Sequence, residues 1–352
     1  MNKIKVLIVD DSLVIRKFLE KIFTLDSEIE IVGSVGDPYQ ARERIFDVKP
    51  DVMMLDVEMP RMDGITFLEK VMKHCPIKTI VFSSIASRGS QTYLRAIDVG
   101  AVEVIEKPAV DVAKNLESIG RNLIQAVKDV HHSRIFKKVI IPAAFKSVDK
   151  KNNLALSKTT NQILAIASST GGTDALKVLF KNMPADIPGT VVVQHMPPGF
   201  TKTFADHLNA LFPFEVKEAE DGDVVCPGRV LIAPGNFHME IRRHGARYSV
   251  VLHQDQPLHN VRPAADCLMR SVAQYVGGNA IGVVLTGMGK DGATGLMEMK
   301  KAGSYNLAQN ESTCVVYGMP AAAVQLGAID KIVSLDLMAY EILAQLKKKN
   351  VA

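Results

Sequence analysis

The chain has 352 residues, enough for two domains with a core each. Its 47% apolar and 23% charged residues are ordinary for a soluble globular protein, and no apolar run approaches the roughly 18 residues of a membrane span. The net charge of +4 is localised: residues 1–122 carry 17 basic against 19 acidic residues, 123–158 carry 8 against 2, and 159–352 carry 17 against 17. That pattern excludes a basic nucleic-acid-binding module and predicts a solvated basic linker at 123–158, flexible or partly helical with a helix continuing from Asn115 to His132, and with an electrostatic contact to an acidic partner as the alternative.

The N-terminus runs from Met-Asn-Lys straight into a short apolar segment with no small-residue cleavage site, so a cytoplasmic chain is expected. Across residues 1–122, apolar runs at 5–9, 30–35, 52–55, 79–83 and 102–105 alternate with amphipathic stretches. Such alternation predicts parallel strands with crossover helices in a doubly wound α/β domain. Polar residues fall at the strand ends: Asp10 and Asp11 after the first, Asp56 after the third, Ser83 at the fourth, Lys107-Pro108 after the fifth. In an open α/β sheet these ends share one edge. Acidic residues at strand ends are also ordinary caps and turn formers. Clustered carboxylates, however, repel one another unless a cation joins them, and an oxygen-only ligand set suits Mg²⁺. An ionised carboxylate beside Mg²⁺ and a lysine can attack a phosphoryl donor, while Lys107 and Ser83 hold the phosphoryl oxygens.

Residues 1–122 resemble a response-regulator receiver domain. The resemblance rests on Val-Asp-Asp-Ser at 9–12, Leu-Asp-Val-Glu-Met-Pro-Arg-Met-Asp-Gly at 55–64, Ser83-Ser84 and Glu106-Lys107-Pro108. It implies a flavodoxin-like fold in which Asp56 accepts the phosphoryl group and Asp10 and Asp11 bind Mg²⁺ with Asp56. The Glu58 backbone carbonyl is then a further ligand, Lys107 contacts the phosphate and Ser83 is the switch hydroxyl. Val104 and Ile105 stand where an aromatic switch residue is often found.

From Gln162 the α/β rhythm returns, with strands expected at 163–167, 189–194, 229–233, 248–252, 280–285 and near 314–317. The first is followed by Ser168, Ser169 and Thr170, two glycines and a helical pattern, so a hydroxyl sits on a sharp strand-to-helix turn. On this segment alone an ordinary N-cap is the better reading of serine there, with a nucleophile as the alternative. His195 follows the second strand, and Asp291 lies in the glycine-rich turn after the strand at 280–285. Ser169, His195 and Asp291 are thus the inventory of a nucleophile, a general base and an orienting carboxylate. Ser168 is a rival hydroxyl, and His207, His238, His253 and His259 are rival bases. The cysteines, Cys75, Cys226, Cys267 and Cys314, form no CxxC pair and are expected to be reduced and inert.

Residues 162–350 resemble the catalytic domain of the chemotaxis protein-glutamate methylesterases. The matching segments are Ser-Ser-Thr-Gly-Gly at 168–172, Gln-His-Met-Pro-Pro-Gly-Phe-Thr at 194–201, Ala-Pro-Gly at 233–235, Arg-Pro-Ala-Ala-Asp at 262–266, Leu-Thr-Gly-Met-Gly-Lys-Asp-Gly-Ala at 285–293 and Tyr-Gly-Met-Pro at 317–320. The resemblance implies a three-layer α/β/α hydrolase domain at 159–352, with catalytic Ser169, His195 and Asp291 and an oxyanion hole from the N–H groups of Thr170 and Met288. It further implies a monomeric, phosphorylation-activated enzyme that hydrolyses glutamate methyl esters on cytoplasmic parts of chemoreceptors. Deamidation of particular glutamines is an open second activity, and a chemotaxis histidine kinase is the phosphodonor. The free receiver is expected to lie over the catalytic edge. Three positions depart from the family pattern: Ala167 and Ser168 stand where Gly-Ala is usual, and Asn310 where Asp is common. A binding-only output domain and a small-molecule serine hydrolase remain alternatives.

Overall fold

Caps and apolar runs together set the elements of the first unit, Met1–Lys138. The computed structural model describes residues 3–83, 89–107, 116–134 and 162–349. The first unit contains β1 (Ile4–Val9), α1 (Leu13–Phe23), β2 (Ile29–Val35), α2 (Pro38–Val48), β3 (Val52–Leu55), α3 (Gly64–His74), β4 (Lys78–Ser83), α4 (Gly89–Val99), β5 (Glu103–Glu106) and α5 (Leu116–His132). Ser12, Asp37 and Asp63 cap α1, α2 and α3 by accepting first-turn N–H groups, each worth about 1 kcal/mol. The five strands lie in the order β2-β1-β3-β4-β5, every pair parallel. This is the flavodoxin-like order, whose ligands sit at the carboxyl ends of the strands.

The boundary expected at residue 122 falls inside α5. Leu123, Ala126, Val127 and Val130 form a buried stripe at helical spacing along that helix. Lys128 also pairs with Asp26 and Glu28 at 2.8 and 2.7 Å. Part of the basic segment is therefore folded into the first unit, because its apolar residues recur every three to four positions among the charges. The rest of the expected linker, from residue 135, lies outside the described residues.

The second unit, Val139–Ala352, is described from Gln162. It contains β6 (Ile163–Ser168), α6 (Gly172–Lys181), β7 (Gly189–Gln194), α7 (Phe200–Leu211), β8 (Glu215–Glu218), β9 (Val224–Val225), β10 (Arg229–Ile232), β11 (His238–His244), β12 (Arg247–His253) and α8 (Ala265–Tyr275). It continues with β13 (Ala280–Val284), α9 (Ala293–Lys301), β14 (Tyr305–Gln309), α10 (Met319–Gln325), β15 (Lys331–Val333) and α11 (Leu335–Lys349). Seven parallel strands run in the order β15-β14-β13-β6-β7-β10-β8. Every residue of β6, β7 and β13 is buried, as expected of strands covered on both faces. Ala165 and Ala167 face a core shared with Leu268 and Met269 of α8 and Leu296 of α9. Leu164 and Ile166 alternate with them and are equally buried on the opposite face.

One strand expectation holds in a separate sheet, and one needs correction. Residues 248–252 belong to β12, which pairs antiparallel with β11 and β9 in a separate three-stranded sheet. Residues 314–317 form no strand; Tyr317 makes only an isolated bridge to Gly287. The sheet strand in that region is β14. Its Asn306 is fully buried and donates to the carbonyls of Leu296 and Ala328 at 2.7 and 2.9 Å. A buried polar residue whose NH₂ pairs with backbone carbonyls hides a core strand from a hydropathy reading.

Candidate active site and acidic pocket

In the seven-stranded sheet β6 lies between β7 and β13, and chain order reverses at the β6–β13 pair. Open α/β sheets bind ligands at such a reversal. Ser169 follows β6 and is half-buried, its N–H donating to the Thr286 carbonyl at 3.1 Å. The N-cap of α6 is Gly171, at φ 76°, and no side chain caps the helix. The capping reading of these hydroxyls is therefore overturned. A Cβ at Gly171 would stand 2.5 Å from Val315 Cγ2 in a left-handed backbone, so the turn demands glycine. Ser168, the last residue of β6, is fully buried and donates its hydroxyl to Gln194 Oε1 at 2.7 Å. Of the two adjacent serines, only Ser169 reaches solvent.

His195 follows β7, and its N–H donates to the Ser168 carbonyl at 3.1 Å, tying it to the turn that carries Ser169. Its Nε2 lies 2.8 Å from Asp291 Oδ2, with the imidazole 13% and the carboxylate 3% exposed. That bond leaves Nδ1 as the ring nitrogen able to take a proton. Asp291 also accepts the N–H groups of Ala265 at 2.6 Å and Asp266 at 3.0 Å, the first residues of α8. Burial alone would raise its pKa. The hydrogen bond and charge of His195, with the two N–H donors at the positive end of α8, outweigh burial and hold the carboxyl below its ordinary range.

The rival bases have other neighbours, and His259 alone of them shares a cluster with Asp266 and Asp291, their polar atoms within 4.8 Å of one another. His238 is fully buried, its Nδ1 accepting the Ala264 N–H at 3.1 Å. His259 Nε2 sits 2.9 Å from Asp266, and His253 lies between Glu240 and Asp255. His207 lies on α7. Thr170 is buried, its carbonyl accepting the Thr286 hydroxyl at 3.0 Å, and Met288 is half-buried in the loop after β13. Thr286 is 1% exposed and binds both the turn that carries Ser169 and Val316, and Gln194 is 1% exposed. Sequence reading passed over Gln194, Thr286 and Asp266. For Gln194 and Thr286 the available signal was a polar residue at or just past the end of an otherwise apolar strand; Asp266, in the first turn of α8, carried no such signal.

The family departures are accommodated. Ala167 is fully buried in the sheet core. Asn310 caps a short 3-10 turn, its Oδ1 accepting the Thr313 N–H at 3.2 Å. Cys75, Cys226, Cys267 and Cys314 are all free thiols, and burial pushes that of Cys267 up to about 11.

In the first unit Asp10, Asp11 and Asp56 bring carboxylate oxygens within 4.8 Å of one another. Asp10 and Asp56 are buried and Asp11 is exposed. Lys107 Nζ lies 2.8 Å from Asp10 and 2.9 Å from Asp56. Burial raises the Asp56 pKa to about 6 against the pull of Lys107, with the Asp10 charge adding to the rise. Burial likewise raises Asp10. One lysine thus offsets two buried carboxylates. An all-oxygen cluster with surplus negative charge fits a hard divalent cation. Ser83 ends β4, and its carbonyl accepts the Lys107 N–H at 2.9 Å. Glu58 lies in the loop after β3, its backbone N–H donating to Asp56. Among the described residues no helix is long and apolar enough to cross a membrane.

Fold and site together define an α/β domain with serine, histidine and aspartate at the carboxyl edge of its sheet, preceded by a flavodoxin-like domain with an acidic pocket. Residues 164–342 match the CheB methylesterase model and residues 6–117 the response regulator receiver domain. The chain belongs to the CheB methylesterase family. It is 64% identical over 352 residues to a Bdellovibrio bacteriovorus protein named protein-glutamate methylesterase/protein-glutamine glutaminase, covering 100% of this chain and 99% of that one. A relative of the same name from Syntrophus aciditrophicus is 48% identical, covering 97% and 99%. The crystal structure of the Thermotoga maritima CheB methylesterase catalytic domain is 39% identical with a TM-score of 0.52, and covers 53% of this chain and all of that one.

Proposed function

We propose that the chain is a phosphorylation-activated enzyme that hydrolyses glutamate methyl esters, and deamidates particular glutamines, on cytoplasmic parts of chemoreceptors. The observation that carries the reading is the His195–Asp291 pair at 2.8 Å, its members on strand ends flanking the strand that delivers Ser169. Asp291 fixes the imidazole tautomer with Nδ1 unprotonated. His195 then takes the Ser169 proton as Ser169 attacks the ester carbonyl, and the N–H groups of Thr170 and Met288 hold the oxyanion. His195 returns the proton to the departing methanol, and water, activated by the same imidazole, releases the glutamate.

In the receiver, Asp56 accepts a phosphoryl group from a chemotaxis histidine kinase. Asp10, Asp11, Asp56 and the Glu58 carbonyl would hold Mg²⁺, which offsets the negative charge of the transferring group. Lys107 holds a phosphoryl oxygen and Ser83 supplies the switch hydroxyl. Phosphorylation releases inhibition of the catalytic unit by biasing a two-state equilibrium. The enzyme acts in the cytoplasm as a monomer, peripheral to membrane-bound receptors.

The test is methanol release from methylated receptor membranes. Ser169→Ala should abolish it in a folded protein, and a small phosphodonor with Mg²⁺ should raise it in the wild type and not in Asp56→Asn. Activity retained by Ser169→Ala would move the nucleophile elsewhere.

A further inference from the structure

Gln194 is buried at the end of β7, where an amide must have every partner met. Its Nε2 donates to the carbonyls of Ser169 at 2.9 Å and His195 at 3.2 Å. Carbonyls only accept, so the amide has one orientation, and its Oε1 must find a donor. That donor is the Ser168 hydroxyl at 2.7 Å. The pair fits because residue 172 is glycine: a Cβ there would stand 2.2 Å from Gln194 Oε1 and 2.9 Å from Ser168 Oγ. The hydroxyl that departs from the family pattern thus locks an amide that grips the carbonyl of the nucleophile.

That grip has a consequence on the other side of the peptide plane. A trans peptide is rigid, with its N–H pointing opposite to its C=O. The Ser169 carbonyl, held by Gln194 and by the Gly172 N–H at 2.7 Å, belongs to the same plane as the Thr170 N–H. Fixing one end aims the other. We propose that Gln194, locked by Ser168, is a positioning residue for the oxyanion hole, aiming the Thr170 N–H at the oxygen that becomes negative in the transition state. The proposal rests on the catalytic reading above and adds to it a pair of residues that never touch substrate. Such a device acts where charge develops, so its loss lowers kcat and leaves KM in place.

Methanol release by the full-length protein on methylated receptor membranes tests it through three variants. Gln194→Met keeps the volume and loses both donors, and its kcat should fall about ten- to a hundredfold, a fraction of what deleting a whole oxyanion donor costs. KM should stay in place. Ser168→Ala removes a single oxygen and should lower kcat about two- to fivefold, since the amide keeps its donors but loses its lock. The double variant should be no slower than Gln194→Met, because Ser168 acts through Gln194. Wild-type kcat in Gln194→Met, or losses that add in full, would overturn the proposal. Should Gln194→Met not fold, a wild-type kcat in Ser168→Ala would do the same. Activity surviving in Ser169→Ala would instead refute the catalytic reading itself.

Discussion

Asp291 Oδ2 lies 2.8 Å from His195 Nε2 and 2.6 Å from the Ala265 nitrogen, so one carboxylate oxygen both orients the imidazole and anchors on α8. The second oxygen takes the Asp266 N–H at 3.0 Å. Every partner of this carboxylate is a donor, which leaves no place for an amide.

Asp291→Asn should therefore do two kinds of damage. Turned one way, its NH₂ meets the Ala265 N–H and faces His195 Nε2, which favours the wrong imidazole tautomer; turned the other way, its NH₂ meets the Asp266 N–H. A loss of about 10³- to 10⁴-fold in kcat is expected by analogy with the same substitution in other triads, with about 1–3 kcal/mol of stability lost to unmet donors. The pH dependence has a definite sign. The folded pKa lies below the ordinary 3.8, so the wild-type carboxylate's contribution is intact above that value and lost as pH falls beneath it. Methanol release and acid unfolding of the two proteins check both parts.

The acidic pocket gives the opposite sign. Asp56 is raised from 3.8 to about 6, so in chelator its ionised form costs stability above pH 6, and that cost is relieved as pH falls from 6 toward 3.8. Asp56→Asn should stabilise the metal-free protein by about 1–3 kcal/mol at pH 7.5 and hardly at pH 4. Lys107 then faces only Asp10, and the buried charges balance. Mg²⁺ should raise the melting temperature of the wild type, and much less that of Asp10→Asn. Calorimetry with and without the cation reads all of these, and a destabilised Asp56→Asn would contradict the charge argument.

Gly64 opens α3 directly against the backbone after β3. A Cβ there would stand 1.9 Å from the Asp56 carbonyl oxygen, a backbone atom that cannot turn away. Gly64→Ala should cost at least about 2 kcal/mol and, by displacing the Asp56 loop, sharply reduce labelling by a small phosphodonor. A denaturant titration and a phosphorylation assay on the same preparation would show whether the two losses travel together.

Much of the fold was legible because most parallel strands here are continuous apolar runs ending in polar residues. β1, β3, β6, β7 and β13 were visible for that reason, and with them the strand ends that carry Asp10, Asp56, Ser169, His195 and Asp291. β14 was not, since Asn306 and Gln309 are polar yet buried. The antiparallel β11–β12 pair was half-read, because alternation in one strand does not reveal its partner. At the site, residue types were readable and their couplings were not. Nothing local to Ser168 says that its hydroxyl faces a glutamine 26 residues on. Nor does Asp291 announce that α8 supplies two of its donors.

Asn310 is the departure whose effect is easiest to isolate. Its Oδ1 accepts the Thr313 N–H at 3.2 Å and the Thr313 hydroxyl at 2.5 Å, both as an acceptor. The side-chain NH₂ takes no part in either bond, so a carboxylate can do the same work, and Asn and Asp are nearly equal as caps. The cap matters beyond its own turn, because the Gln309 amide donates to the Thr313 carbonyl at 2.7 Å and accepts the Thr286 N–H at 2.8 Å. Asn310→Asp should leave stability within about 0.5 kcal/mol and activity unchanged, whereas Asn310→Ala should cost about 1 kcal/mol. Asn310→Ala should also lower kcat, since the Gln309–Thr286 chain ends on the Ser169 N–H. Thermal unfolding and methanol release of the two variants side by side decide the point: equal losses would mean that the side-chain NH₂, and not the acceptor oxygen, matters at this position.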